Sequence, residues 1–218
     1  MKESTSKEKV LKKVRDALVN ATPIPFEGLD VETNVYADNL QVSAEETFAR
    51  AFLDVGGKFI YCSNVGDLAE KLSAVIQSKS IGKVFCGESY LAALLKEIGA
   101  EFTTELSELH DCAVSVSGCE VLIARHGTIV QSSRQGGGRK AIVVPPVQIV
   151  IATTRQMVNG LSDAFGSLHS KYGDDMPSLV TFVTGPSRTA DIEKTLVLGA
   201  HGPEVIYLFL LEIGEQSL

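Results

Sequence analysis

Two hydrophobic periodicities alternate along the chain. Leu11, Val14 and Leu18 recur at i, i+3 and i+7, with Lys9, Lys12, Lys13 and Arg15 on the polar side, which predicts an amphipathic helix. Thr5-Ser6-Lys7-Glu8 has capping-box spacing at its start, and it should end near Asn20, before Pro23 and Pro25. Thr22 to Gln41 is aperiodic and reads as a long connection, so residues 1–40 form an N-terminal helical arm and 41–218 one α/β domain. There Ser43-Ala44-Glu45-Glu46 opens a second helix, with Phe48, Ala51, Phe52 and Val55 as its stripe and Gly56-Gly57 as its stop. Strand Lys58–Cys62, a helix carrying Leu68, Leu72, Val75 and Ile76, strand Lys83–Cys86 and a helix over Leu91, Leu94, Leu95 and Ile98 follow. Helix–strand alternation with short links predicts a mostly parallel sheet flanked by helices.

The middle of the chain changes character. Glu120–Ala124 and Thr128–Gln131 are strands too close to be parallel, so they form a hairpin turning at Arg125-His126-Gly127 and make the sheet mixed. A glycine-rich loop, Gln135–Arg139, leads to strand candidates Lys140–Val144 and Val147–Thr153. Gln156–Leu168 reads as a helix, and Ser178–Val183 and Val205–Leu211 read as strands.

Composition narrows the function. With 20 Lys+Arg against 27 Asp+Glu in 218 residues, the net charge of −7 argues against broad nucleic-acid binding. No Trp and 6% aromatic residues argue against a single-strand stacking platform. Cys62, Cys86, Cys112 and Cys119 form no C-x-x-C, so they are expected as reduced, buried thiols. The charged N-terminus is unlike a secretory signal, and the Ala141–Ala152 apolar stretch is too short and broken to span a membrane, so a cytoplasmic location is expected. No metal, iron–sulfur or dinucleotide spacing stands out, and no cofactor is predicted in this chain.

Four places could hold a ligand. Thr184 to Glu193 follows an apolar strand and precedes a helix-like run. Gly185, Ser187, Arg188, Thr189 and Asp191 would there meet free helix N–H groups and bind a small carboxylate or phosphate. The alternative is that Ser187 or Thr189 caps the helix while Arg188 pairs with Asp191 or Glu193. Gly136, Gly137 and Gly138 before Arg139 and Lys140 would let backbone amides approach an anion, or form a solvated loop. Gly127 and Thr128 sit at the hairpin turn, where Gly127 either faces a ligand or only supplies positive φ. His201, between Gly199 and Gly202-Pro203, is a candidate general acid or base.

The Gly127-Thr128-Ile129-Val130 hairpin, the Pro145-Pro146 pair before an Ile-Val strand, Thr184–Glu193 and Gly199–Pro203 together resemble the LutC-type lactate-utilisation proteins, which carry the LUD domain. The resemblance runs from about Cys119 to Leu211. It implies a fold like that of the ribose-5-phosphate isomerase, glucosamine-6-phosphate isomerase and CoA-transferase group. It also implies a part in oxidising L-lactate to pyruvate, with iron–sulfur partner proteins encoded elsewhere. The chain departs from many relatives at Arg125, where they carry an acidic residue, and at Gln148, where they carry a His. The competing readings are a stand-alone isomerase-like or CoA-transferase-like enzyme and a non-catalytic scaffold whose N-terminal helix binds a partner.

Overall fold

A computed structural model describes residues 5–19, 42–78, 82–189, 197–199 and 201–214. The chain divides into two compact units, Met1–Asn39 and Leu40–Leu218. In the first, helix α1 spans Ser6–Val19. The Thr5–Glu8 capping box closes both ways: the Thr5 amide donates to Glu8 Oε2 at 2.8 Å, and the Glu8 amide to Thr5 Oγ1 at 3.3 Å.

The second unit runs in chain order through α2 (Ala44–Asp54), β1 (Lys58–Cys62), α3 (Val65–Ser78), β2 (Val84–Phe85), α4 (Ser89–Glu97), β3 (Phe102–Thr103) and β4 (Val114–Ser117). The hairpin β5 (Val121–Ile123) and β6 (Thr128–Ser132) follows, then α5 (Gly138–Val143), β7 (Val147–Thr153) and β8 (Met157–Val158). The last elements are α6 (Leu161–Tyr172), β9 (Val180–Val183), β10 (Arg188–Thr189), β11 (Val197–Leu198) and β12 (Val205–Leu211). A six-stranded sheet, β1-β12-β7-β4-β2-β3, is parallel throughout. A four-stranded sheet, β8-β5-β6-β9, contains the hairpin, and β10 pairs with β11.

The layers follow from side-chain alternation. On one face of the large sheet, Val114, Val116, Ile149, Ile151 and Phe209 pack under Leu68 and Leu72 of α3 and Leu91 and Leu95 of α4. On the other, Val150, Ala152, Ile206 and Leu208 meet Phe48 and Phe52 of α2 and Leu122 and Ile129 of the hairpin. The hairpin's outer residues Val121, Ile123 and Val130 are covered by Ala164 and Leu168 of α6. All four cysteines are free and buried. Burial pushes the Cys86 thiol up to about 11 and raises that of Cys119 as well.

Three sequence expectations are corrected. Lys140–Val144 is no strand: Gly138–Val143 is a short helix, because a brief apolar run satisfies either period and here Ala141 is drawn against Phe85, Leu109 and Cys112. Gln156–Leu168 is not one helix: Gln156 ends a 3-10 turn, Met157–Val158 is a strand, and the helix begins only at Leu161, after Asn159-Gly160. No helix starts at Ser187: Arg188 and Thr189 are strand, in register with Leu198 and Val197. Strand β4, in the middle of the large sheet, was unforeseen. Its Val-Ser-Val-Ser alternation turns valines to α3 and α4 and serines to the hairpin.

Candidate functional site

Because the six strands run parallel, their carboxyl ends share one edge, the usual place for ligands in such folds. Gly87 leaves β2 there and lies against Gly136 of the glycine-rich loop. A Cβ on Gly136 would stand 2.1 Å from the Gly87 carbonyl carbon, so only two glycines permit this crossing. Beside it, Glu88 bridges two elements: the Gly118 amide after β4 donates to Oε1 at 2.9 Å, and Tyr90 Oη donates to Oε2 at 2.9 Å.

Behind this edge a polar line is buried between the sheets. Gln131 Nε2 donates to Ser117 Oγ (2.9 Å) and to the Gly118 carbonyl (3.0 Å), and Gln148 Nε2 donates to Gln131 Oε1 (2.8 Å). Gln148 Oε1 and Ser115 Oγ, on residues paired across β4 and β7, find no partner among the described residues.

Glu120 is the electrostatic hub. Its Oε1 accepts from Ser132 Oγ (2.5 Å), Tyr172 Oη (2.7 Å) and Gln135 Nε2 (2.9 Å), while Oε2 accepts from Lys171 Nζ (2.6 Å). Burial pushes this carboxyl up, but the Lys171, Ser132 and Tyr172 hydrogen bonds outweigh it and hold the group below its ordinary value. A carboxylate with four donors is a structural clamp rather than a nucleophile. It fixes Gln135, the residue that enters the glycine-rich loop.

A cavity of about 680 Å³ opens where β1, β7 and β12 end, against the first turns of α2. Glu45, Glu46 and Glu212 line it with the hydroxyl residues Ser43, Tyr61 and Thr154, over a floor that includes Ala49 and Phe59. The Tyr61 hydroxyl is raised above its ordinary value, chiefly by its hydrogen bond to Glu212. With no Lys, Arg or His in its lining, this cavity suits a cationic or hydroxylated group rather than a carboxylate.

The structure separates the residues proposed from sequence. Gly136, Gly137, Gly138 and the exposed Arg139 lie at the carboxyl edge, with Gly137 packed on Phe85 and Ala141. Gly185, Ser187 and His201 lie at the opposite edge: the Ser187 amide donates to the Pro203 carbonyl, two residues before β12 begins. Arg188 is exposed and donates Nη2 to the carbonyl of Val55 at the end of α2 (2.5 Å), and the helix-like run expected after Thr189 lies outside the described residues. Thr189 pairs with Val197, His201 is exposed on a turn, and Asp191 lies outside the described residues. Gly127 takes positive φ (58°), and a Cβ there would stand 2.4 Å from the Phe52 amide, so the turn packs directly on α2. Thr128 Oγ1 is hydrogen-bonded to Thr184 Oγ1 at 2.8 Å. Glu88, Glu120, Gln131 and the cavity residues escaped sequence reasoning. For Gln131 and Gln148 the signal was a polar residue inside an apolar strand.

Among the described residues, no group of three or more His, Cys, Asp or Glu side chains is placed to hold a metal ion, and no helix is long and apolar enough to cross a membrane. The family model of the LUD domain matches residues 45–211. A lactate utilization protein C from Halalkalibacterium halodurans is 36% identical over 92 residues, 41% of this chain and 40% of that protein. One from Oceanobacillus iheyensis is 31% identical over 137 residues, 62% of this chain and 50% of the relative, so the matches span half or less of these curated proteins. A DUF162 family protein from Deinococcus radiodurans superposes with a TM-score of 0.60 at 19% identity, over 78% of this chain and 99% of that one, a likeness of fold.

Proposed function

The chain belongs to the LUD-domain family, and on that footing we propose that it is a cytoplasmic component of an L-lactate utilisation system. What carries this reading is the 31–37% identity to proteins named lactate utilization protein C. In this role it supports oxidation of L-lactate to pyruvate and holds no redox cofactor itself. The two electrons that leave lactate pass to iron–sulfur partner proteins, and two protons go to solvent. Its own contribution is to bind a small carboxylate or phosphate at the glycine-rich loop. Exposed Arg139 and Lys140 supply the positive charge there, and the Gly87 crossing and the Glu120–Gln135 bond supply rigidity. The stand-alone sugar-phosphate or CoA-transfer enzyme is the poorer reading, because the large carboxyl-edge cavity is lined by carboxylates that would repel such substrates. Deleting the gene in a host that grows on L-lactate should stop growth on lactate and spare growth on pyruvate. Undiminished growth on lactate overturns the proposal.

A further inference from the structure

No residue of α1 is buried, although the helix carries a continuous apolar face. At 3.6 residues per turn, Val10, Leu11, Val14, Ala17 and Leu18 fall within an arc of about 120°. Val10, Leu11, Val14 and Leu18 are 60%, 43%, 49% and 75% exposed. Lys13 and Arg15 stand on the two margins of that arc, Lys9 and Lys12 lie on the far side, and Lys7 enters the arc in the first turn. The helix holds five cations against Glu8 and Asp16, a formal charge of +3 in a chain of net −7, so the remaining residues carry −10.

We propose that α1 docks the protein reversibly on an anionic lipid surface. A narrow aliphatic face bordered by cations lets the apolar side chains settle at the headgroup–acyl boundary while lysine and arginine stems reach up to the phosphates. Charge chooses the occupant. An apolar protein groove needs no cations on both margins of the stripe, whereas a lipid plane meets both margins at once. The rest of the chain, at −10, offers such a surface no net attraction, so the helix, at +3, supplies the electrostatic part of the contact. Fourteen residues form a marginal helix in water, and the Thr5–Glu8 capping box keeps this one formed for docking. The inference is independent of the lactate reading.

Flotation of the full chain with vesicles tests it. The protein should rise with vesicles of equal parts phosphatidylglycerol and phosphatidylcholine, stay behind with pure phosphatidylcholine, and be released when salt is raised from about 0.1 to about 0.5 M. Replacing Lys13→Glu and Arg15→Glu together should weaken binding by at least about 30-fold, each cation near the surface being worth about fivefold. Replacing Leu11→Glu and Leu18→Glu should abolish it. Both variants should melt like the parent, since the altered side chains are exposed, and Lys13→Arg with Arg15→Lys should bind normally. Failure to float with the anionic vesicles, equal flotation with neutral ones, or acidic variants that bind like the parent would overturn the proposal.

Discussion

Gly87 and Gly136, 49 positions apart in the chain, meet backbone to backbone at the carboxyl edge of the parallel sheet. A Cβ on Gly136 would be 2.1 Å from the Gly87 carbonyl carbon and 2.2 Å from its oxygen, and neither can swing aside as a side chain would. Gly136→Ala should therefore cost about 3 kcal/mol, an overpacking penalty at the upper end of the usual range. At this chain length that lowers Tm by roughly 6–12 °C. Gly138→Ala is the control: the nearest atom to its Cβ is Ser133 O at 3.7 Å, so only the positive φ of 52° is strained, costing about 1–2 kcal/mol. Equal, small losses in the two melting curves would show that the loop is not anchored at Gly87.

Gly127 separates conformational strain from crowding. Asparagine tolerates left-handed φ, so a turn that needed only φ 58° would accept Gly127→Asn at little cost. Any Cβ there meets the backbone of Ala51 and Phe52 in α2, at 2.7 and 2.4 Å. Gly127→Asn should thus lose about 2 kcal/mol and Gly127→Val more, since β-branching adds strain. Chemical denaturation of both variants measures the difference. An Asn variant as stable as the parent would place the turn away from α2.

What the sequence revealed depended on the length of the pattern. Helices α2 to α4 and strands β1, β7 and β12 carry several residues of one period, and the hairpin was forced by a separation too short for a parallel return. Lys140–Val144 was ambiguous because five residues contain little more than one helical turn, and packing against Phe85 decided it. Arg188 and Thr189 became strand through a two-residue pairing with β11 that no local pattern announces. The site was least legible where distant segments build it. The residues around the 680 Å³ cavity come from α2, β1, the turn after β7 and the segment after β12, and Glu120 gathers donors up to 52 residues away. The glycine-rich loop was found as a run of small residues, but its partner Gly87 stands alone in sequence.

Arg188, a candidate anion ligand by sequence, has a structural partner in the fold. Its guanidinium caps the last turn of α2 through the Val55 carbonyl, lying where a Gly56 side chain would otherwise be. Because the arginine is exposed, Arg188→Ala should cost about 1 kcal/mol of stability. Lactate or phosphate binding in a calorimetric titration should be unchanged. Arg188→Lys should recover part of the loss, since an ammonium also donates to a carbonyl. Weakened anion binding at unchanged stability would return Arg188 to a ligand site.

The pH dependence of stability should carry the signature of Glu120. Its folded carboxyl lies below the ordinary value, so more protons bind to this group in the unfolded chain than in the folded one. Its contribution is therefore full above the unfolded glutamate value, about 4.3, and is lost as pH falls through the lower folded value. Glu120→Gln removes the charge while keeping the shape. The amide's own N–H group then faces donors, so the variant should lose about 1.5–3 kcal/mol at neutral pH. That deficit should shrink as the parent is acidified, because both proteins then carry a neutral side chain at the hub. Lys171→Met removes the cation but leaves the Ser132, Tyr172 and Gln135 donors, so its folded carboxyl should rise and its acid unfolding begin at higher pH than in the parent. Lys171 is itself raised: burial works against the charge, but the bond to Glu120 prevails. Its share of the pair is therefore kept through neutral pH and lost only in strong alkali. Denaturant melts at a series of pH values decide the matter. A Glu120→Gln deficit that stays constant from neutral to acid pH would mean that the carboxylate charge contributes nothing to the clamp.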